Sequence, residues 1–359
     1  MKMAYKILYI DDQDTASRKA DFEELGFEVI THDPTNDFKE IELKVKDGIN
    51  ALILDYKLTE GTGEQACFDA PTIAQFVRTM HSVDGFNIPI VLMSNQINFT
   101  DYYNNDYTSQ DLFDFTITKQ DFVSNKEIFG QKLNSFISAY QKIKSDNNLS
   151  KSLGIDESKI ILHSRFISDY EKLNNNHFKI SSLIYDDLLC SVGITIGIDA
   201  LSARLGISQD SDNWPQVLES LKTASYTGVF SDIKQRWWMD KVNKWWNDSI
   251  SSDTSIRRLN AEERVELLKS KLGLENLIPL TKTKHSLSSN FWTVCKFSKK
   301  ALDPFDGIEL LKDYLPWQEK EYISIDSALA GQMEVYKNQI SAIDKKAIRE
   351  LVKNERANG

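Results

Sequence analysis

The 359-residue chain is poor in cysteine, and its three cysteines, Cys67, Cys190 and Cys295, lie far apart. None belongs to a CxxC pair or to a cysteine/histidine group, so neither a disulfide framework nor a zinc site is predicted. No apolar run approaches the roughly 18 residues of a membrane span, and the first apolar run (MKMAYKILYIDD) soon reaches acidic residues. We therefore expect no secretion signal, no membrane segment and a reducing, cytoplasmic location.

The chain also lacks an excess of positive charge. It has 43 lysines and arginines against 53 aspartates and glutamates, for a formal net charge of −10. This balance argues against a protein coated in phosphate-binding surface. The imbalance belongs to residues 1–150, which hold 14 basic and 24 acidic residues, whereas residues 151–359 hold 29 of each. The contrast indicates two domains with separate roles.

Short apolar runs alternate with amphipathic helical patterns over the first 120 residues, which is typical of a parallel α/β sheet. The predicted strands are Lys6–Asp11, Phe27–Thr31, Ala51–Asp55, Ile88–Met93 and Phe113–Thr118. The predicted helices are Thr15–Leu25, Phe38–Lys46, Pro71–His81 and Lys126–Lys144. A polar run follows the last helix, so we predict a first domain over residues 1–144, a linker over 145–151 and a second domain over 152–359.

The second domain is predicted to be α-rich, because most of its apolar residues recur at helical spacing. The segments concerned are Ile160–Leu173, Ile180–Leu189, Trp214–Thr223, Asp232–Trp246 and Ala261–Leu272, with one strand-like run at Phe291–Phe297. No internal repeat of a fixed length is visible in the sequence, which argues against a solenoid.

Five chemically active side chains stand at the ends of predicted strands: Asp11, Asp12, Asp55, Ser94 and Lys119. In an open parallel sheet the carboxyl ends of neighbouring strands meet at one crevice. An aspartate after a strand is usually a turn or cap residue, but five coincidences favour a common site. Three carboxylates together predict a divalent cation, and an all-oxygen ligand set favours Mg²⁺. Such a site suits an aspartyl-phosphate intermediate.

Residues 5–144 resemble the receiver domain of two-component response regulators, on the motifs KILYIDD, ALILD, IVLMS and TITK. The resemblance implies a doubly wound, five-stranded parallel sheet of the flavodoxin-like or CheY-like type. It implies that Asp55 is the phosphoacceptor, that Asp11 and Asp12 hold Mg²⁺ with it, that Ser94 bonds a phosphoryl oxygen and that Lys119 pairs with the phosphoryl charge. A histidine kinase or a kinase-like ATPase is the implied partner, with a homodimer as a further expectation.

The sequence departs from the receiver pattern in four places. Asn95 follows the hydroxyl residue where the family has a small residue, which predicts narrowed access to the phosphoacceptor. Gln120 replaces the proline that normally follows the lysine. Thr116 occupies the position of the switch aromatic, with Phe115 one place earlier. An insertion near Glu60–Ala70 lengthens the segment after the third strand. These changes predict an altered route from the phosphate to the outer face of the sheet.

The second domain carries no enzyme signature. The tryptophan pairs in RWWMDKVNKWW could stack on single-stranded nucleic acid, but aromatic anchors of a helical core are the favoured interpretation. The run Thr281–Lys300 has five lysines and no acid, and is favoured as a solvated face over a phosphate strip. Asp303 and Asp306 are favoured as turn residues. His163, His177 and His285 are isolated.

Three functions remain open from the sequence. The first is a response regulator in which Asp55 accepts a phosphoryl group and controls the second domain. The second is a receiver-like docking adaptor that works without phosphotransfer. The third is a transcription regulator that binds DNA through its second half, for which Ala200–Ser208 offers the first helix and turn of a helix-turn-helix but no basic recognition helix follows.

Overall fold

The computed structural model describes residues 4–358 apart from residues 14, 35–36, 60–65, 81, 84–85, 147 and 157–161, and divides the chain into two compact units. The first unit comprises residues 1–155 together with residues 167–185 and 228–233. The second unit comprises residues 156–166, 186–227 and 234–359. Two later segments of the chain therefore belong to the first unit, while the single boundary over residues 145–151 stays a prediction.

A five-stranded parallel sheet forms the centre of the first unit. Its strands are β1 (Lys6–Ile10), β2 (Glu28–His32), β3 (Ala51–Leu54), β4 (Ile90–Ser94) and β5 (Phe115–Thr118). They lie in the order β2-β1-β3-β4-β5, and every neighbouring pair is parallel. The order reverses between β1 and β3, which opens a crevice at the carboxyl ends of the strands. The predicted doubly wound, five-stranded sheet is confirmed.

Helices flank the sheet, and several of them begin at residues whose side chains cap the first turn. The helices are α1 (Ala16–Glu24), α2 (Phe38–Lys46), α3 (Ala70–Thr79), α4 (Gln96–Asp101), α5 (Lys119–Ser124) and α6 (Lys126–Ser145), followed by α7 (Leu149–Leu153), α8 (Ser164–Lys172) and α9 (His177–Ser182). The Asp37 side chain caps α2 by accepting from the backbone of Lys39, and Pro71 stands in the first turn of α3. The sequence did not predict α4 and α5, each of six residues.

Each face of the sheet buries its own core, as the alternation of side chains along a strand requires. Leu8, Leu52 and Leu92 belong to a cluster that also includes apolar residues of α2, α3 and α4. On the other face Tyr9 packs edge-on against Phe22 of α1, with ring centroids 5.4 Å apart. The same face holds Phe115, whose ring lies 5.1 Å from that of Phe136 on α6. The sheet is thus covered by helices on both sides.

The two later segments of the first unit, residues 167–185 and 228–233, pack on α6. The ring of Phe136 lies 4.9 Å from Tyr185 and 4.8 Å from Phe230, and the last two rings are 5.0 Å apart. The hydroxyl of Ser135 donates to Asp232 at 2.6 Å. This covering of α6 comes from residues that follow it by about 50 to 100 positions, and the sequence analysis did not predict it.

A buried ion pair joins α3 to β5 at the amino-terminal edge of the sheet. Arg78 bonds to Asp114 at 2.8 Å, and their side chains are 9% and 1% exposed. The Asp114 carboxylate also accepts from the backbone of Ile90 at 2.7 Å and from the Tyr140 hydroxyl at 2.6 Å. Burial raises the pKa of Tyr140 well above its ordinary value, so this hydroxyl stays a donor. The network ties two helices to two strands.

The second unit is built from helices and very short strands. Its helices are α10 (Ile198–Leu205), α11 (Trp214–Ser220), α12 (Met239–Ser249), α13 (Ala261–Leu272), α14 (Ile325–Leu329) and α15 (Ala342–Asn358). Its strands form three antiparallel pairs: β6 (Thr195–Ile196) with β7 (Trp237–Trp238), β8 (Thr293–Val294) with β9 (Ala301–Leu302), and β10 (Gly307–Glu309) with β11 (Tyr322–Ser324). The predicted α-rich character is confirmed.

The tryptophans of the second unit are core residues. Trp237, Trp238 and Trp246 are at most 1% exposed, and Trp245 is 9% exposed. The favoured interpretation of the tryptophan pairs is confirmed, but the helix predicted over Asp232–Trp246 is wrong in its first half. The first pair lies in β7 because its backbone pairs with β6, and α12 begins only after it.

Two fully buried arginines stabilise this core by bonding to carbonyl groups. Arg264 of α13 donates to the carbonyls of Ile256 at 2.9 Å and Phe291 at 2.7 Å. The Nε atom of Arg204 on α10 donates to the carbonyl of Trp292 at 3.1 Å. Its Nη2 atom lies 2.7 Å from a carboxylate oxygen of Glu319. Burial lowers the pKa of Arg264 to about 10.

Among the described residues, no helix combines the length and the apolar character of a membrane span.

The Arg78–Asp114 network gives a stability prediction. We expect Asp114→Ala to lower the free energy of unfolding of the first unit by about 3 kcal/mol, because it removes the carboxylate that pairs with the buried Arg78 guanidinium. Tyr140→Phe, which removes one hydrogen bond, should cost about 1 kcal/mol. Urea unfolding followed by far-ultraviolet circular dichroism measures both. Asp47→Ala, which breaks an exposed pair with Lys6, is the control and should stay within about 0.5 kcal/mol. An equal loss in Asp114→Ala and the control would contradict the prediction.

Candidate functional site

Three aspartates meet at the carboxyl end of the sheet. Asp11 and Asp12 follow β1, and Asp55 follows β3, its neighbour in the sheet. One carboxylate oxygen from each lies within 4.8 Å of the others. Asp11 and Asp55 are 2% and 3% exposed, while Asp12 is half-buried. The strand order thus brings together residues that lie more than 40 positions apart in the sequence.

Lys119 and Ser94 complete the site. The Nζ atom of Lys119 lies 2.5 Å from Oδ2 of Asp55 and 2.8 Å from Oδ2 of Asp11. The Ser94 hydroxyl donates to Oδ1 of Asp55 at 2.5 Å. Lys119 reaches the carboxylates because it follows β5 directly, and Ser94 does so because it is the last residue of β4. All five residues selected from the sequence therefore lie together.

Two further residues hold Asp11, and neither carries a signal in the sequence that marks it as a site residue. The hydroxyl of Tyr9, a core residue of β1, donates to Oδ2 of Asp11. The backbone N–H of Gln13 donates to Oδ1 of Asp11 at 3.0 Å. Burial and the neighbouring Asp11 carboxylate raise the pKa of Tyr9, which keeps its hydroxyl protonated. The orientation of Asp11 is therefore fixed from both of its oxygens.

The electrostatics of the site follow from burial and close opposite charges. Burial raises the pKa of Asp55; the ammonium of Lys119 opposes this shift, and the carboxylate of Asp11 adds to it. Burial by itself would lower the pKa of Lys119, but its contacts with Asp55 and Asp11 raise it. Asp11 and Asp55 share the ammonium of Lys119, so these two buried carboxylates carry more negative charge than that ammonium balances, and an added cation would offset it.

The donor set fits Mg²⁺. Asp11, Asp12 and Asp55 offer oxygen atoms alone, which is the ligand type that Mg²⁺ prefers, and no histidine or cysteine belongs to the cluster that the described residues form. When bound, Mg²⁺ would supply positive charge to oxygens of an incoming phosphoryl group. The half-buried Asp12 lies on the accessible side of the cluster.

Asn95 lies outside the pocket. It is exposed, and its Oδ1 accepts from the backbone of Asn98 at 2.8 Å, which makes it the N-cap of α4. The buried Asn98 instead enters the site, because its Nδ2 donates to Oγ of Ser94 at 2.9 Å. The narrowing expected from Asn95 stays a prediction, whereas Asn98 donates to the same Ser94 oxygen whose hydroxyl donates to Asp55.

The other departures from the receiver pattern have structural counterparts. Thr116 is exposed, and Phe115 is buried on the α6 side of the sheet. Gln120 lies in the first turn of α5, and no cis peptide bond occurs in the described part of the chain. The first six residues of the insertion near Glu60–Ala70 fall outside the described residues. Because successive side chains of a strand point to opposite faces, Phe115 lies on the face of the sheet opposite to that of Thr116.

The weaker motifs of the second unit are structural. The Asp303 carboxylate accepts from Ser288 and from the backbone of Phe305, and Asp306 accepts from the backbone of Leu287 at 2.8 Å. These bonds confirm the turn interpretation. Six of the eight residues of α10, including Leu201 and Arg204, are buried, so this helix is part of the core. His163, His177 and His285 do not join any group of metal-ligating residues found among the described residues.

Comparison with solved structures matches the first part of the chain to receiver domains. A response regulator receiver domain protein from Clostridium thermocellum is 17% identical, with a TM-score of 0.29, over 38% of this chain and 97% of the other. The response regulator protein TrrA from Thermotoga maritima, in complex with Mg²⁺ and BeF, is 21% identical, with a TM-score of 0.27, over 36% of this chain and 98% of the other.

The receiver domain of a sensor histidine kinase from Pseudomonas aeruginosa, with a magnesium ion coordinated in its active site cleft, is 14% identical. Its TM-score is 0.29, over 38% of this chain and 97% of the other. No protein-family model and no curated protein matches the chain. The matches agree with the resemblance predicted for residues 5–144, and at these identities they concern the fold.

The central position of Lys119 gives a second prediction. We expect Lys119→Met, measured in EDTA, to lower the free energy of unfolding of the first unit by about 3 kcal/mol, because two buried carboxylates lose their counter-charge. Added Mg²⁺ should recover part of that loss, since it binds the folded state alone. Urea unfolding with and without Mg²⁺ measures both effects. Lys6→Met removes a lysine from an exposed pair and should change little; a Lys119→Met protein as stable as this control would refute the prediction.

Proposed function

We propose that the protein is a response regulator in which Asp55 accepts a phosphoryl group and the second unit carries the output. The observation that carries the proposal is the convergence of Asp55, Ser94 and Lys119, with Nζ of Lys119 and Oγ of Ser94 each 2.5 Å from a different oxygen of Asp55. This arrangement combines a nucleophilic carboxylate, a hydroxyl donor and a cation at one point. A histidine kinase or a kinase-like ATPase is the proposed donor.

In the proposed reaction a carboxylate oxygen of Asp55 attacks the phosphorus of a phosphohistidine. A P–O bond forms, the P–N bond breaks, and the electron pair stays on the departing imidazole nitrogen, which takes a proton from solvent. Backbone and hydroxyl donors fix the carboxylate for this attack, since Oδ1 of Asp55 accepts from the N–H of Tyr56 at 2.7 Å and from Ser94. Because these donors are already in place, no free energy has to be spent on orienting them during the reaction.

Lys119 and Ser94 change partners in this scheme. Before phosphorylation the Lys119 ammonium bonds to the carboxylates of Asp11 and Asp55, and Ser94 bonds to Asp55. A phosphoryl group on Asp55 brings new oxygen acceptors with more negative charge. The ammonium and the hydroxyl then bond to these oxygens; Asp11, Asp12 and Asp55 are the residues that would hold Mg²⁺, which would supply further positive charge. The change of partners is the local event that signals phosphorylation.

The docking adaptor is the second candidate function, and one observation favours it. The position that holds the switch aromatic in receiver domains is Thr116, which is exposed, whereas the aromatic Phe115 is buried against α6. The usual aromatic readout is therefore absent from this strand. In an adaptor, the first unit would bind its partner through its surface, and an Asp55→Asn protein would retain both partner binding and cellular activity.

Phosphorylation from a small donor tests the main proposal. The full chain is incubated with Mg²⁺ and acetyl phosphate, and intact-protein mass spectrometry counts the phosphoryl groups. We expect one group on the natural protein, none on Asp55→Asn and fewer on Lys119→Gln, because the ammonium compensates the transferred charge. Asp47→Asn changes an exposed aspartate and should be phosphorylated normally.

Two outcomes would contradict this proposal. Failure of the natural protein to gain phosphate from acetyl phosphate and from a panel of autophosphorylated histidine kinases would remove Asp55 as an acceptor. Equal phosphorylation of Asp55→Asn and the natural protein would place the group on another residue.

A further inference from the structure

The second unit contains an open cleft of about 740 Å³ that no function described so far uses. One wall is the segment of residues 280–284, and the other is the turn between β8 and β9, residues 297–301. Residues of α10 and α14 line the rest. The volume lies within the range of small-molecule sites in proteins, about 300–1,000 Å³.

The cleft collects lysines. Four line it, Lys282, Lys284, Lys299 and Lys300, against two aspartates, Asp199 and Asp326. Within the described ranges, Lys282, Lys299 and Lys300 bond to no carboxylate. The fifth lysine of the run, Lys296, bonds instead to Glu321 at 2.6 Å. The cleft therefore carries excess positive charge in a half of the chain whose formal charge is zero, and Lys282, Lys299 and Lys300 are themselves exposed, as the solvated-face interpretation expects.

Hydrogen bonds hold the first wall in place. The carboxylate of Asp326, in the first turn of α14, accepts from the Thr283 hydroxyl at 2.6 Å and lies 2.8 Å from Nδ1 of His285. Asp199, the other acid of the cleft, accepts from Gln209 at 2.9 Å. Both carboxylates are thus engaged with neighbouring side chains, and neither bonds to the lysines of the second wall.

The second wall has an unusual backbone. Lys299 has φ = +58°, in the left-handed region that non-glycine residues rarely adopt. Its N–H donates to the carbonyl of Cys295 at 2.9 Å, and the N–H of Cys295 donates to the carbonyl of Lys300 at 2.9 Å. A lysine in this conformation costs about 1 kcal/mol relative to glycine. Keeping a charged side chain at a position that suits glycine favours a role for that charge.

An aromatic ring stands beside the lysines. Phe297 lines the same cleft and is 46% exposed. An exposed ring of this kind can stack on a flat aromatic group. In general, lysine side chains can bind phosphate oxygens, and an aromatic ring close to them can stack on the base of a nucleotide.

From these observations we infer that the cleft binds a nucleoside polyphosphate, with its phosphates on Lys282, Lys299 and Lys300 and its base against Phe297. The inference concerns the second unit alone and does not rest on phosphorylation of Asp55.

Isothermal titration calorimetry of the full chain with ATP, GTP, adenosine and inorganic pyrophosphate tests the inference. EDTA is present throughout, so that the carboxylates of the first unit cannot hold a metal–nucleotide complex. We expect saturable binding of one ATP or GTP per chain, weaker binding of pyrophosphate and no measurable binding of adenosine. Asp55→Asn should bind nucleotide like the natural protein, which separates this site from the proposed phosphoacceptor.

Three variants locate the site. Lys299→Gly with Lys300→Gln removes two charges and suits the left-handed backbone at position 299, so it should fold normally and bind both ATP and pyrophosphate at least about tenfold more weakly. Phe297→Ala should weaken ATP about tenfold and leave pyrophosphate unchanged, because it removes stacking alone. Lys244→Gln, at an exposed position on α12, is the control and should change neither.

The outcomes are decisive in either direction. Absence of saturable nucleotide binding by the natural protein would overturn the inference, as would binding that survives loss of the two lysine charges. Pyrophosphate binding as tight as ATP binding, or equal binding in Phe297→Ala, would overturn the assignment of the base to the ring. Circular dichroism of each variant confirms that its fold is intact.

Discussion

The carboxyl end of the sheet depends on one ammonium group, that of Lys119. Asp11 and Asp55 are almost fully buried and repel each other, and such a pair is stable only with a compensating charge. Lys119 supplies it at 2.5 and 2.8 Å, because Thr118 caps α5 and the helix begins at the lysine itself. The connection from β5 to α5 therefore positions the Lys119 ammonium. That ammonium compensates the buried carboxylates of Asp11 and Asp55, which follow β1 and β3.

Much of the first unit could be predicted from the sequence, since buried strands are apolar runs and their polar ends converge. The bounds of α2 and α13 agree with the prediction, because Asp37 and Asn260 cap their first turns and glycines follow their ends. Helices of six residues, such as α4, are too short for a periodic pattern. The strand at Trp237–Trp238 could not be predicted, because it exists only by pairing with β6, about 40 residues earlier.

The residues of the site also divide into those that could be predicted from the sequence and those that could not. Its five central residues are ionisable or hydroxylic and follow strands, so the sequence selects them. Tyr9 and Asn98 have no such signal: the ring of Tyr9 fits the apolar alternation of β1, and Asn98 lies inside a short helix. Their polar atoms matter through single hydrogen bonds, to Asp11 and to Ser94, that depend on tertiary contacts. Residues that orient a functional group are thus harder to find than the group itself.

The net charge of the second half of the chain does not describe the local charge at its surface. The second half of the chain is neutral in sum, yet the structure separates its charges: Lys296 pairs with Glu321, whereas Lys299 and Lys300 line a cleft. The segment that leads into β8 is held by two buried arginines, because Arg264 and Arg204 bond to the carbonyls of Phe291 and Trp292. A neutral total therefore excludes a coating of positive charge but not one anion site, because binding depends on the local field and not on the sum.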